Sequence, residues 1–174
     1  MKLSRLFWLM IITSAVALPI RQYVATPIYI ASESMEPTLS KGVFLILDRT
    51  AYHKQVPQRG DIISFRSPVG EVHDSAKRVI AVPGDIVEIK AKKVIIGGNF
   101  LYEPYVQYTR PDERLQGDNM EAVTVPERHL FVMGDNRDQS NDSSTWKDTK
   151  TGERVYFIPF SAVQGKVRGF YRKH

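Results

Sequence analysis

The chain begins with a long apolar run that differs from everything after it. Residues Leu6 to Ile20 carry no charge and lie between Arg5 and Arg21. As a helix this run would span about 23 Å, less than the roughly 30 Å hydrocarbon core of a bilayer. Arginines at both ends can extend such a span, because their charged heads reach outward to the headgroups. The pattern favours an uncleaved membrane anchor over residues 1–23.

Two other interpretations of this segment remain open. Ala15-Val16-Ala17 resembles the cleavage site of a secretory signal peptide, which would remove the segment from the mature chain. A buried core helix is the other alternative, although the run has no polar face. For an anchor, Lys2 and Arg5 favour a cytoplasmic N-terminus, which predicts that residues 24–174 lie outside the cytoplasm.

After the apolar run, the pattern changes to short strands separated by Gly, Pro and Asp. Apolar stretches lie at 24–31, 43–47, 62–65, 78–82, 86–89, 94–96, 100–102, 123–125, 130–133, 155–158 and 163–167. Pro27 in the first stretch indicates an edge strand or the start of a strand, and Gly97-Gly98-Asn99 predicts a hairpin turn. The predicted fold is mainly β, a barrel or sandwich with one N-terminal transmembrane helix. A small excursion is expected near 91–128 within the β-rich domain.

Composition excludes several classes of chemistry. The chain has 24 Lys and Arg, 19 Asp and Glu, and no Cys. A basic chain permits nucleic acid or anionic lipid as a partner, but no nucleic-acid-binding signature is present, so nucleic acid is not expected. Without cysteines there is no disulfide framework, thiolate metal site or cysteine nucleophile.

Metal binding is not expected either. Asp138, Ser140 and Asp142 alternate as in a calcium loop, but Ser143 and Thr149 stand where that loop requires Gly and Glu. No pair of histidines has ligand spacing. The sequence therefore predicts neither a metal nor a cofactor.

The candidate catalytic residues lie in three polar stretches, two of which follow predicted strands and one of which begins a strand. The segment 32–39 is a serine-containing turn that includes Pro37, which disfavours a helix at this point. Lys77 enters a strand on the same face as Val79 and Ala81, an apolar setting for an amine. The segment 134–143 is a polar loop that leaves an apolar strand. Taken singly, each has an ordinary structural explanation: a capping serine, a solvated lysine and an Asx-rich turn.

Together the three stretches resemble the membrane-bound type I signal peptidases, which use a Ser-Lys dyad. The resemblance covers roughly residues 24–170. It rests on four motifs in the family's order: Ser-x-Ser-Met-x-Pro-Thr-Leu from Ser32, Gly60-Asp61-Ile62-Ile63-Ser64-Phe65, Lys77-Arg78 with Pro83-Gly84-Asp85, and Gly134-Asp135-Asn136-Arg137-Asp138 with Ser140 and Asp142-Ser143. This order makes a chance match improbable and implies a serine endopeptidase.

The resemblance implies a role for each matching residue. Ser34 is the expected nucleophile and Lys77 the general base, while Ser140 is expected to hydrogen-bond the lysine. Ser32 is expected to complete the oxyanion hole together with the backbone N–H of Ser34. The supporting polar network is expected to comprise Arg78, Asp135, Arg137 and Asp142. Shallow pockets for small substrate side chains are expected at Ile28, Ile30, Leu39 and Ala76.

This sequence departs from the family pattern in three places. Ser144 stands where an Arg is usual, which predicts the loss of a salt bridge to Asp142. Glu33 replaces the usual Gly between the two serines, which is expected to alter the substrate groove. The loop 145–154 is also unusual.

The proposed base has a specific physical requirement. A free lysine has a pKa of about 10.4, so an amine that works near neutral pH needs a pKa lowered by about 3 units, or roughly 4 kcal/mol. Burial among apolar groups can supply such a change. We therefore expect Lys77 to be desolvated in the folded protein.

The resemblance also implies partners and a location. The expected substrates are secretory precursor proteins, cut after small residues of the Ala-x-Ala type, at the lipid bilayer of a bacterial-type plasma membrane. The anchor would be single-pass, with a cytoplasmic N-terminus and an extracytoplasmic catalytic domain. Two alternatives are a conjugation- or pilus-type peptidase dedicated to one precursor, and a non-enzymatic β-domain that binds anionic lipid.

Overall fold

The N-terminal apolar run forms a helix. The computed structural model describes residues 3–19, 24–70 and 74–171. Helix α1 spans Leu3–Pro19. Within the described ranges, no helix is both long and apolar enough to cross a membrane. The remaining positions of the predicted anchor, 1–2 and 20–23, lie outside the described residues.

The rest of the chain is mainly β, as the sequence predicts. The strands in chain order are β1 (Ala25–Tyr29), β2 (Phe44–Asp48), β3 (Ile62–Phe65), β4 (Ser75–Ala81), β5 (Ile86–Lys90), β6 (Lys93–Ile96), β7 (Asn99–Phe100), β8 (Met120–Thr124), β9 (His129–Met133), β10 (Ile158–Pro159) and β11 (Val163–Tyr171). The paired strands form two antiparallel sheets. Short 3-10 turns lie at Arg137–Gln139 and Phe160–Ala162.

The larger sheet has seven strands in the order β1-β2-β11-β3-β4-β9-β10. Its two end strands, β1 and β10, do not pair with each other, so the barrel alternative for the fold is wrong. Strand β10 contributes only two residues to the pairing with β9. Pro27 lies in the end strand β1, which confirms the edge position that this proline predicts.

The smaller sheet, in the order β7-β6-β5-β8, lies within residues 86–124. It begins slightly before the expected excursion near 91–128. One hydrophobic cluster joins it to the larger sheet, because Val87, Ile89 and Val94 pack in the same cluster as Phe131 and Met133 of β9. The excursion is therefore part of a shared core.

The predicted strands agree with the structure except at 101–102, which lie outside β7, and near residue 156. The Gly97-Gly98 hairpin is confirmed, since Ile96 pairs with Asn99. Strand β4 starts at Ser75, three residues earlier than its apolar pattern predicts, and therefore includes Lys77. The stretch 155–158 is wrong as a strand, because only Ile158 of that stretch pairs with β9. Tyr156 and Phe157 instead pack their side chains on the cluster that joins the sheets.

One ion pair ties the smaller sheet to the polar loop after β9. Lys92, in the turn between β5 and β6, places its Nζ 2.8 Å from Asp138 Oδ1. The Asp138 side chain is 1 % exposed and that of Lys92 is 15 % exposed. The backbone N–H of Arg110 also donates to Asp138, at 2.7 Å. The pair therefore fixes the loop against the excursion.

We expect Lys92→Met to destabilise the protein by about 3 kcal/mol, because it leaves a buried carboxylate without its charge partner. The measurement is the free energy of unfolding from urea denaturation. Lys41→Met is the matched control, since Lys41 pairs with Glu33 at 3.1 Å in an exposed setting. Exposed pairs contribute less than about 1 kcal/mol. Equal losses for the two variants would contradict this assignment.

Candidate active site

Ser34 lies in a tight turn directly after β1. The turn is closed by the backbone N–H of Leu39, which donates to the carbonyl of Met35 at 2.8 Å. The side chains of Met35 and Leu39 are each 1 % exposed and pack with Ile30 and Leu45. Apolar burial therefore anchors the turn, and Ser34 is held directly before the buried Met35.

Lys77 reaches Ser34 from the middle of the larger sheet. Strand β4 lies between β3 and β9, and Lys77 pairs in register with Ile63. Its Nζ donates a hydrogen bond to Ser34 Oγ at 2.5 Å. Both residues are buried, at 5 % exposure each. Two residues that are 43 positions apart thus form a close, water-poor contact.

Ser32 brings a second hydroxyl to the same point. Its Oγ lies 3.1 Å from Ser34 Oγ, and either hydroxyl can donate. Ser32 is exposed whereas Ser34 is buried. A donor on the solvent side of the nucleophile can approach a ligand that reaches Ser34 from outside.

The loop after β9 holds the backbone of the nucleophile turn. The backbone N–H of Asn136 donates to Ser34 O at 3.1 Å, and its side-chain amide donates to Glu33 O at 3.2 Å. Gly134 lies so close that a Cβ there would be 2.4 Å from Ser34 O and 2.3 Å from Ser140 Oγ. Only glycine fits at this approach of two backbones.

Ser140 lies beside this contact but does not bond the lysine. Its Oγ is buried against Gly134 and has no hydrogen-bond partner among the residues that the structure describes. The expected hydrogen bond from Ser140 to Lys77 is therefore absent from the structure. Ser140 instead helps to fill the space next to the Ser34 carbonyl.

Arg78, the residue after Lys77, makes a separate set of contacts. Its Nε and Nη2 donate to the two carboxylate oxygens of Asp135, at 2.9 and 2.6 Å. The guanidinium stacks 4.0 Å from the ring centre of Tyr105 and donates to Thr38 Oγ1 at 3.4 Å. Burial opposes the charge, but Asp135 outweighs it and raises the pKa of Arg78. This bidentate pair links β4 to the loop that holds Ser34.

Arg137 supports the same loop from within. Its Nε donates to Gly134 O at 3.1 Å, and its Nη2 lies 2.5 Å from Glu103 Oε1. Burial works against the charged guanidinium, yet the hydrogen bond that Arg137 donates to Glu103 prevails and raises the pKa of Arg137. Arg137 therefore stays charged and keeps Gly134 in place.

Asp142 is fully satisfied without an arginine partner. Its Oδ2 accepts from the N–H of Gly134 at 2.9 Å. Its Oδ1 accepts from both the N–H and the hydroxyl of Ser144, at 3.0 and 2.7 Å. The serine at position 144 thus replaces the salt bridge expected in the family with two neutral hydrogen bonds. Arg154 in turn donates to the carbonyl of Ser144.

Glu33 and the four expected pocket residues occupy different parts of the site. Glu33 is exposed and pairs with Lys41, so its charge is turned to solvent. The other four belong to one cluster: Ile30 and Leu39 are buried in it, and Ile28 and Ala76 pack against it half-buried. The cluster surrounds the nucleophile turn and supplies apolar surface beside Ser34.

Several contributors were missed by the sequence motifs or given no role there. Asn136 lies within the polar loop motif, between Asp135 and Arg137, and this position could have indicated a role in the site. Thr38 stands within the motif that begins at Ser32, but that motif gave it no role. Glu103 and Tyr105 carry no motif, because they contact the site only through the fold. No group of three or more His, Asp or Glu in the described parts of the chain could hold a metal ion.

The chain is similar to known proteins of one family. A family model described as signal peptidase, peptidase S26, matches residues 3–171. A probable signal peptidase I-1 from Synechocystis sp. is 41 % identical over 147 residues, covering 79 % of this chain and 71 % of that one. Signal peptidase I P of Bacillus subtilis subsp. natto is 35 % identical over 164 residues, covering 88 % of each.

A solved structure is also similar. The crystal structure of a signal peptidase I from Enterococcus faecalis is 31 % identical, with a TM-score of 0.49, and it covers 66 % of this chain and 98 % of that one. The family match extends over both the apolar N-terminal helix and the two sheets. The chain belongs to the signal peptidase family, peptidase S26.

Proposed function

We propose that this protein is an endopeptidase that removes N-terminal signal peptides from exported precursors through a Ser34–Lys77 dyad. The observation that carries the proposal is the 2.5 Å contact between Lys77 Nζ and Ser34 Oγ, with both residues buried. Family membership supports the substrate class. The proposal covers both a general signal peptidase and a peptidase dedicated to one precursor, because the substrate of each carries a signal peptide.

The reaction follows from the positions of these two groups. Burial disfavours a charged ammonium, which supports a neutral Lys77 amine able to accept a proton. As Ser34 Oγ attacks the carbonyl carbon of the scissile peptide bond, its proton passes to Lys77 Nζ. When the carbon–nitrogen bond breaks, Nζ returns the proton to the leaving amine, and an acyl-enzyme remains. Water activated by the same amine then hydrolyses the ester and frees Ser34.

Ser32 supplies the proposed charge stabiliser. A tetrahedral intermediate on Ser34 carries an oxyanion, which needs donors that are in place before the reaction. The Ser32 hydroxyl, 3.1 Å from Ser34 Oγ, is close enough to turn towards that oxygen. The backbone N–H of Ser34 would be the second donor.

The apolar cluster around the turn supports cleavage after small residues. An extended peptide that adds to a sheet edge directs alternate side chains into pockets on one face. Ile28 and Ala76 are half-buried against the cluster in which Ile30, Leu39 and Met35, the neighbour of Ser34, are buried. Pockets backed in this way accept Ala-sized side chains, as the Ala-x-Ala pattern requires.

The bilayer is the second proposed partner, with residues 1–23 as a single-pass anchor and 24–174 as an extracytoplasmic catalytic domain. An exposed apolar face on β1 and β2 supports it. Tyr29 and Phe44 are paired across these strands, with ring centres 5.2 Å apart, and Ile46 lies beside them on β2. Each of the three is more than half exposed. A patch of this kind next to the active site is suited to a lipid surface.

We expect Ser34→Ala and Lys77→Met each to abolish cleavage of a model precursor, with losses of at least about 10³-fold, because each removes one half of the dyad. Ser32→Ala should lower kcat by about 10²-fold. Cleavage is followed by gel assay, and circular dichroism checks the fold. Ser161→Ala, at an exposed serine, is the matched control. Near-normal cleavage by a folded Ser34→Ala variant would contradict the dyad, whereas no cleavage by the unchanged protein would favour the non-enzymatic lipid-binding alternative.

Gly134→Ala should lower kcat by at least tenfold, because the new methyl group displaces the Ser34 backbone, and a displacement of about 1 Å can cost about 10²-fold. Kinetics with the precursor measure the effect. The control is Gly98→Ala, where an added Cβ meets nothing within 4 Å. That variant strains a turn at positive φ but should cleave normally. If both variants cleave normally, Gly134 does not position the nucleophile.

The anchor assignment predicts that the membrane-bound protein keeps Met1 or Lys2 as its first residue. Protease added to the extracytoplasmic side should digest residues 24–174 and leave the N-terminal segment protected. N-terminal sequencing and protease protection of the full chain in membranes measure both. A mature chain that starts at Leu18 would instead identify Ala15-Val16-Ala17 as a cleavage site.

A further inference from the structure

A basic cleft lies outside the active site, and nothing in the proposed reaction uses it. It has a volume of about 870 Å³ and lies between the loop after β2, the turn before β9 and the start of β11. Its ionisable lining groups are Arg49, Tyr52, His53 and Arg128, with no carboxylate among them. A concave surface lined by one sign of charge concentrates counter-ions.

Two guanidinium groups in this cleft have unused donors. Arg49 donates through Nε to Thr26 Oγ1 at 3.0 Å. Among the described residues, its two terminal nitrogens have no hydrogen-bond or ion-pair partner, and neither does the Arg128 side chain. Arg128 also has a φ of +58°, a left-handed conformation that favours glycine. An arginine held there, without a protein partner, is the kind of local strain that points to a ligand.

The cleft also has apolar walls. Tyr52 and Phe160 line it half-buried, and Val56 lines it exposed. The Tyr52 hydroxyl donates to Asp61 at 2.9 Å, and burial followed by Asp61 raises the pKa of Tyr52, so the ring stays neutral. Guanidinium donors beside aromatic and aliphatic walls suit an anionic group that carries an apolar chain. Arginine pairs readily with phosphate oxygens in a bidentate geometry.

The position of the cleft indicates the source of such a ligand. The backbone N–H of Arg49 donates to Val24 O at 3.0 Å, which places the cleft at the beginning of β1. Helix α1 ends five residues before Val24, a distance of at most about 18 Å along an extended chain. If residues 1–23 are the anchor, as proposed above, the cleft lies within reach of the headgroup layer.

We infer that this cleft binds the phosphate of an anionic phospholipid, with Arg49 and Arg128 on the phosphate oxygens and the Tyr52–Phe160 walls against the lipid's apolar part. The inference depends on the proposed membrane anchor, which brings the cleft close to lipid, and is independent of the proposed Ser34–Lys77 dyad. Binding at this point would give the catalytic domain a second, specific contact with the bilayer and fix its orientation there.

The test uses the full chain in an uncharged detergent. Its melting temperature is measured against rising concentrations of dihexanoyl-phosphatidylglycerol, dihexanoyl-phosphatidylcholine or inorganic phosphate, since a ligand of the native state raises Tm. We expect the anionic lipid to raise Tm and the other two probes to act far more weakly. Cleavage activity does not enter the measurement, so failure of the dyad proposal leaves its outcome unaffected.

Variants then locate the binding. Arg128→Gly should weaken the apparent affinity for the anionic lipid about fivefold, as expected for one basic side chain near an anionic headgroup. It should also relieve the positive-φ strain, so the variant remains folded. Arg49→Gln should weaken binding similarly, and Arg128→Lys should retain most of it. Arg114→Gly is the matched control, because Arg114 is an exposed arginine outside the cleft.

Three results would overturn the inference. Equal Tm shifts with the anionic and the zwitterionic lipid would show that the guanidinium groups are not used. Unchanged affinity in Arg128→Gly and Arg49→Gln would place any lipid elsewhere. A shift with inorganic phosphate as large as that with the lipid would assign the cleft to free phosphate.

Discussion

The contact between Lys77 and Ser34 sets the conditions that the surrounding structure has to meet. An amine can take a proton from a hydroxyl only if it is uncharged and already in contact with it. For the proposed base Lys77, burial on an inner strand of the seven-stranded sheet favours the first condition. The protein meets the second by anchoring the serine turn with Met35 and Leu39 and holding its carbonyls from Asn136.

Each charged side chain around the proposed dyad has its own partner, so none of them brings an unpaired charge or a bound water next to Ser34 and Lys77. Arg78 is neutralised by Asp135, and Arg137 by Glu103. Asp142 is satisfied by Gly134 and Ser144 through neutral donors. Buried charges without such partners would be costly and would attract water. The network therefore holds the loop 134–144 in place beside Ser34 and Lys77, the proposed dyad.

Sequence alone was sufficient for the parts of the site that depend on local pattern. The turn at Pro37, the edge position of Pro27 and the separate partners of Lys77 and Arg78 follow from backbone restrictions and strand alternation. Contacts made across the fold were not predictable. Glu103 reaches Arg137 from 34 positions away, and Ser140 packs on Gly134 because of the path of a loop. The barrel prediction was wrong for the same reason, because closure of a barrel depends on whether the two end strands of the sheet pair across the fold.

The end position of β1 bears on how the protein behaves at high concentration. Its outer backbone edge is open among the described strands, and it lies next to the exposed Tyr29 and Phe44. Such an edge is a template on which a second chain can add a strand and start an aggregate. Pro27, at the centre of β1, offers no N–H for such a ladder. A short peptide can still lie along part of this edge, whereas a long flat strand from another copy would lose a hydrogen bond at its middle, which disfavours fibre-like association.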